Sequence, residues 1–299
     1  MREAHLRDFI AVVETGSVRA AARRLEITQG AVSKNLTALE RSFGVPLLIR
    51  STHGVEPTEF GRILLRRARL ADSELRKARE EIAERWGEHS GGVNVGLSST
   101  AEALLAASAI ERFRQQRPQI LIGLQGGTAF TMAGLLREGR LDFAIVPAAG
   151  ALIGSDLRAE RLLSTDLVVV ARHDHPMGQA TELRALCGYE WILGARPGDT
   201  QPAITAAFMQ QELPAPSFAV QRDSFSALIF LLMQSDYVAV TSRPAVEPFC
   251  RSGMLTMIPL QLRLAPMVQY LLSSATRPLA PNAELLAREF RKARRAFKR

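Results

Sequence analysis

Gln29, Ser33 and Thr37 recur every fourth residue with Lys34 beside them, a spacing that lines up one face of a helix. Short polar groups with one cation on such a face suit base edges and phosphates in a major groove; a plainly solvated helix is the alternative. Arg50 and His53 flank a Ser51-Thr52 turn from which they can approach phosphates or a minor groove. Further along, Ser98, Ser99, Thr100 and Thr128 put hydroxyls where helices should begin. Helix N-termini favour anions, so a carboxylate or sulfonate suits these positions, with ordinary N-capping as the alternative. Thr200, Gln201 and Phe225 are the expected facing partners, with Arg196 as a charge partner. Motifs for covalent chemistry are missing: the chain has no G-x-S-x-G elbow, Walker loop or H-E-x-x-H, and Gly123-Leu124-Gln125-Gly126-Gly127 is not the dinucleotide fingerprint. His173-Asp174-His175-Pro176 offers two histidines and one carboxylate without a third ligand cluster, which is weak for a metal. The expectation is a binding protein with no enzymatic activity, no metal and no cofactor.

The elements that must carry these groups follow from periodicity. Leu6, Phe9, Ile10 and Val13 form one face of a first helix, ended by Gly16. Ser17 can cap a second helix, Val18 to Leu25, whose Ala20, Ala21 and Ala22 allow close helix approach. After the turn Glu26-Ile27-Thr28, Thr28 can cap a third helix with Val32, Leu36, Leu39 and Phe43 pointing inward and Gln29, Ser33, Lys34 and Thr37 outward. Gly44 and Pro46 stop it. Leu47 to Arg50 and His53 to Val55 then read as two short strands, a basic wing beside a helix-turn-helix; a plain three-helix bundle is the alternative.

The run from Ala20 to Lys34, then Leu39-Glu40, Pro46 to Arg50 and Pro57 to Gly61, resembles the winged helix-turn-helix of the LysR-type transcriptional regulators. The signature is long and specific over the first 62 residues and looser beyond. Two residues depart from the family pattern: Gly30 stands where Pro is usual, and His53 where Arg is common. The resemblance implies a bacterial regulator that binds double-stranded promoter DNA as an oligomer, answers a small co-inducer and meets RNA polymerase. The residues assigned to DNA are Ser17, Thr28, Gln29, Gly30, Ala31, Ser33, Lys34, Thr37, Arg50 and His53.

From Thr58 to Trp86 the chain lacks Pro, and Leu64, Ala68, Ala71, Leu75, Ala78 and Ile82 are spaced alternately by four and three. That is a coiled-coil seam, predicting a helix that pairs with a second copy; packing on its own domain is the alternative. The resemblance agrees with pairing, and implies a tetramer through a further contact between effector domains. Gly87 and Ser90-Gly91-Gly92 supply a hinge. Beyond it, strands at Val93 to Leu97, Ile120 to Leu124 and Leu141 to Val146 alternate with helices, which predicts a parallel, doubly wound α/β sheet. Strands at Leu167 to Ala171, Trp191 to Leu193 and Tyr237 to Thr241, with an apolar helix from Phe225 to Met233, predict a second lobe. A strand at Met267 to Leu272 and an amphipathic helix from Asn282 to about Phe297 return to the first. The expected architecture is a winged helix-turn-helix at 1–58, a linker and dimerisation helix at 59–89 and a two-lobed effector domain at 90–299. Lobe I spans 90–164 and 264–299, and lobe II 165–263. The resemblance likens this body to type 2 periplasmic binding proteins. Its cleft residues would be Ser98, Ser99, Thr100, Thr128, Arg196, Thr200, Gln201 and Phe225.

Composition agrees with these readings. The 299 residues are 47% hydrophobic and 23% charged, in the range of globular proteins that bury a core. The net charge of +8 is concentrated in residues 1–71 and 277–299, and a basic head suggests a polyanionic partner. Two cysteines, Cys187 and Cys250, cannot form a disulfide framework and read as two buried structural thiols rather than a peroxide-sensing pair. Met1 to Asp8 is charged and no apolar span is evident, so a cytoplasmic location and no membrane partner are expected. An α/β small-molecule-binding protein or enzyme without a regulatory role is the alternative function.

Overall fold

The computed structural model describes residues 2–52, 54–88, 90–147, 153–194 and 201–294, leaving aside the side chains of Gln201 and Pro202. The chain divides into two units, Met1–Glu88 with Glu138–Arg140, and His89–Arg137 with Leu141–Arg299.

In the first unit, α1 (Glu3–Thr15) ends on Gly16 in the left-handed region, and α2 (Val18–Arg24) and α3 (Gln29–Phe43) follow. Ser17 Oγ accepts from the Ala20 amide and Thr28 Oγ1 from the Ala31 amide, so both helices start where short polar side chains satisfy their free N–H groups. Phe9, Val12, Ala21, Val32, Leu36 and Leu39 form the core, with Leu47 and Leu65 closing it. Phe43, expected inward, is 46% exposed: the last turn of α3 runs past the edge of that core before Gly44 caps it. The wing is an antiparallel pair, β1 (Leu48–Ser51) and β2 (Gly54–Pro57), and Ser51, expected in the turn, is the last residue of β1. Glu40 fixes the wing to α3, since its Oε1 accepts from the Leu47 amide at 2.8 Å and the Leu48 amide at 3.2 Å.

Helix α4 (Glu59–Arg85) is capped by Thr58, whose hydroxyl also donates to the Pro46 carbonyl at 2.9 Å. Its first turn lies so close to the start of the wing that a Cβ on Gly61 would sit 2.0 Å from the Leu47 carbonyl oxygen. Two residues expected in the seam are not open to solvent: Leu64 packs against the head's core and Ala68 is buried.

The second unit contains two mixed five-stranded sheets. The first has the order β4-β3-β5-β12-β6, built from β3 (Gly92–Leu97), β4 (Leu121–Gly126), β5 (Phe143–Pro147), β6 (Leu157–Thr165) and β12 (Met267–Ser274). The other, order β11-β7-β10-β8-β9, contains β7 (Leu167–Arg172), β8 (Glu190–Gly194), β9 (Ser217–Arg222), β10 (Val238–Ser242) and β11 (Leu255–Met257). The sheets are therefore not wholly parallel. Strands β3, β4 and β5 run parallel, but β12 returns from the second lobe antiparallel to β5 and β6. Likewise β7 is antiparallel to β10 and β11. The chain passes between the sheets at Asp166 and again over 258–266.

Val93, Val95 and Leu97 of β3 pack on α6 (Ala107–Gln116) and α11 (Pro281–Ala293), where Phe290 meets Phe143 edge-on at 5.9 Å. On the other face of β3, Gly96 leaves room for Met132 of α7 (Ala129–Arg137): a Cβ there would lie 2.4 Å from the Met132 sulfur. The second lobe buries Trp191 against Phe208 of α8 (Gln201–Gln210) and packs α9 (Phe225–Gln234) and α10 (Arg243–Arg251) on its sheet. The helix expected from Ser98 to Arg117 starts as α5 (Ser99–Ala101) and passes through a π-helical turn, Glu102–Ala106, before α6. The C-terminal helix ends at Ala293, and Phe297 lies outside the described residues. Cys187 and Cys250 are unpaired and half-buried rather than buried.

Candidate functional site

In the head, Gln29, Gly30, Lys34 and Thr37 are exposed on α3 and Ala31 and Ser33 half-exposed, while Val32, Leu36 and Leu39 hold the opposite face in the core. Thr37 returns its hydroxyl to the Ser33 carbonyl at 3.0 Å, leaving oxygen lone pairs outward. Arg50 is exposed on β1. Ser17 and Thr28 serve first as helix caps. His53 lies outside the described residues. One link was not foreseen: Asp8, fully buried on α1, accepts a 2.7 Å hydrogen bond from Asn35 and so ties α1 to the polar helix. Both residues look like ordinary surface polar groups in the sequence, and only the packing pairs them.

Along α4 the remaining seam positions Ala71, Leu75, Ala78 and Ile82 are exposed, Leu75 to 43% and Ile82 to 69%. Phe60, 51% exposed, lies near the same stripe at the start of the helix, and Ile63, 49% exposed, stands about a quarter turn away from it. The open part of the expected seam thus runs from Ala71 to Ile82. An apolar row of this length facing water is what a helix partner covers.

In the second unit a cavity of about 770 Å³ opens between the two sheets' lobes. Ser98, Ser99, Thr100, Thr128 and Phe225 all line it, brought together from the ends of β3 and β4 and the start of α9. The two lobes meet at its wall, where the Thr100 and Ser242 hydroxyls lie 2.5 Å apart and buried. Ser98 is also spent internally, accepting from the Ala101 amide and donating to Gln269 Oε1 at 2.8 Å. Thr128 accepts from the Thr131 amide at the start of α7 and lies 3.1 Å from the Thr131 hydroxyl. Phe225 packs against Phe249, ring centres 6.2 Å apart, to give an apolar wall. Arg196 and Thr200 lie outside the described residues, as does the side chain of Gln201.

The lining also contains groups that sequence reasoning passed over. Glu102 lies three residues beyond the Ser99 helix start, and Arg222 and Asp223 directly precede the Ser224 cap of α9. Their nearness to two expected helix starts was the available signal. Arg222 is the one cation among the described lining residues, against the carboxylates of Glu102 and Asp223. Burial pushes the Glu102 carboxyl above the ordinary glutamate range. The His173-Asp174-His175 segment has a structural role: His175 is buried, with Nδ1 accepting from the Met177 amide and Nε2 3.1 Å from the Asp236 carbonyl. Among the described residues no group of three or more His, Cys, Asp or Glu is placed to hold a metal, and no helix is long and apolar enough to cross a membrane.

Comparison with known proteins bears on both units. Residues 4–62 match the family model described as bacterial regulatory helix-turn-helix protein, lysR family, and residues 87–295 match the LysR substrate binding domain. The HTH-type transcriptional regulator GbpR of Azospirillum brasilense is 29% identical over 282 residues, covering 93% of this chain and 82% of that protein. Among solved structures, CbnR, a LysR family transcriptional regulator, superposes with a TM-score of 0.70 at 19% identity, over 98% of this chain and 99% of that one. Full-length CbnR in complex with its target DNA gives a TM-score of 0.68 at 20% identity, over 98% and 100% of the two chains.

Proposed function

The chain belongs to the LysR family of DNA-binding transcriptional regulators, and on that premise we propose that its promoter binding or activation is controlled by a small organic molecule held between the lobes of the second unit. The observation that carries this reading is the cleft itself, walled by both lobes and lined by hydroxyls next to an apolar Phe225–Phe249 face. A ligand touching both lobes favours one lobe arrangement, and it shifts the population by its differential affinity for the two. Helix α4 would carry that change to the spacing of two DNA-reading heads.

In this reading Gln29, Ser33 and Thr37 meet base edges in a major groove, and Lys34 and Arg50 meet phosphates. The exposed stripe of α4 forms a dimer. The edge strand β4, with Leu121 76% and Leu124 49% exposed, supports a further contact that makes a tetramer. RNA polymerase is the further partner, and the cytoplasm the place of action. A carboxylate or sulfonate effector has the helix starts at Ser99 and Thr128 in its favour, but it would meet two carboxylates and one arginine in the described lining.

The test is fluorescence anisotropy with DNA from upstream of the protein's own coding sequence, against a scrambled duplex of equal length. The reading expects tighter binding to the native duplex by at least a hundredfold. Gln29→Ala should erase about 1–3 kcal/mol of that preference at one base position. Equal affinity for both duplexes would overturn it.

A further inference from the structure

The polar groups of the cleft are not arranged for an anion. Its described lining sets Glu102 and Asp223 against Arg222. Arg222 is already partly engaged, donating from Nη1 to the Ser224 carbonyl at 3.4 Å. Glu102 sits in the π-helical turn that interrupts the helix behind Ser99. Such turns are frequent at functional sites. Its carboxylate lies beside Gly126, another lining residue, because a Cβ at Gly126 would come within 3.4 Å of Glu102 Oε1. Among the described residues no hydrogen bond or ion pair engages that carboxylate, and partial burial is the sole cause of its raised pKa.

An exposed carboxylate that no described cation engages repels an incoming anion and is satisfied by an N–H or O–H donor. The surrounding hydroxyls both donate and accept, so they do not reverse this preference. The Phe225 and Phe249 rings add a surface for an apolar body or a sugar-like face. We infer that the effector places a hydrogen-bond donor, an ammonium or a hydroxyl, on Glu102 and brings no net negative charge into the cleft. The inference rests on the cleft being the effector site, and it makes Glu102 the residue that selects the ligand class.

The experiment is a thermal-shift screen of the full chain with three size-matched sets of small compounds: primary amines, polyols and monocarboxylates. Wild type, Glu102→Gln and the cleft-filling Ser226→Trp are compared, with DNA binding of the unliganded variants controlling for folding. Amines or polyols should stabilise the wild type. Glu102→Gln should weaken amines roughly tenfold to a hundredfold, the usual range for a lost charge-assisted bond, and polyols less. A set in which only carboxylates bind, or in which no amine or polyol binds, overturns the inference. So do binders abolished by Ser226→Trp but indifferent to Glu102→Gln, which leaves the cleft reading standing. Binders indifferent to both substitutions sit elsewhere and overturn the cleft reading itself.

Discussion

Gly61→Ala tests how the DNA-reading head is joined to α4. The new Cβ would stand 2.0 Å from the Leu47 carbonyl oxygen, and 3.1 Å from both the Leu47 carbonyl carbon and Pro57 Cβ. Carbon–oxygen contacts normally close at about 3.3 Å, so the overlap is more than 1 Å. The obstructing atoms are backbone, and the same Leu47 carbonyl accepts the Thr58 amide at 2.9 Å. The upper end of the overpacking range, about 3 kcal/mol, therefore applies. Loss of that hydrogen bond adds about 1 kcal/mol, and the better helix propensity of alanine returns about 1 kcal/mol. The net is about 3 kcal/mol, roughly a hundredfold rise in opening of the head. Gly30→Ala is the control: nothing lies within 4 Å of its Cβ position, and it should be neutral or stabilising by up to about 1 kcal/mol. Native-state hydrogen exchange of peptides from residues 30–65 of the full chain reads both. Equal protection in the two variants would refute the close-approach argument.

Arg50→Ala should flatten the slope of log affinity against log salt by about one unit with little change in sequence preference; an unaltered slope removes Arg50 from the phosphate contacts. Leu75→Glu would bury two carboxylates in a dimer built on the α4 stripe, weakening it by about 2–6 kcal/mol. Sedimentation velocity at micromolar concentration should then show monomers, and an intact dimer would move the interface elsewhere. Burial pushes the Glu289 carboxyl upward, but bonds from Lys292, Arg112 and Gln116 outweigh it and hold the group below the ordinary glutamate range. A depressed folded-state value means this contribution is present above the unfolded glutamate pKa, about 4.3, and is lost as pH falls through the folded value. Glu289→Gln should therefore cost about 1–3 kcal/mol near neutrality and flatten the acid limb of thermal melts between about pH 3 and 5. Parallel acid limbs in both proteins would exclude the group.

The head could be read from the sequence because its signals are short-range. Ser17, Thr28 and Gly44 act within a turn of where they stand, and Val32, Leu36 and Leu39 report the core through one helical period. The same period mis-set Phe43, since spacing carries no information on where a core ends. Leu64 and Ala68 satisfied the heptad pattern, yet Leu64 packs against the head's core and Ala68 is buried, which spacing alone does not reveal. Strands β6 and β9 escaped notice because Arg158, Glu160 and Arg161 interrupt one and the other is a half-exposed sheet edge. The direction of β12 depends on a chain return of about a hundred residues. At the cleft, the hydroxyl positions Ser98, Ser99, Thr100 and Thr128 were legible as helix starts. Their partners Gln269 and Ser242, 171 and 142 residues away, were not, and these decide which hydroxyls are already spent.

The central claim, that this chain reads DNA through α3 as a paired assembly, is tested most directly by hydroxyl-radical footprinting on DNA upstream of its own coding sequence. The account predicts two protected half-sites spaced by whole helical turns, lost together in Leu75→Glu and weakened at one base position in Gln29→Ala. A single unpaired footprint, or protection no stronger than on random DNA at physiological salt, would contradict it.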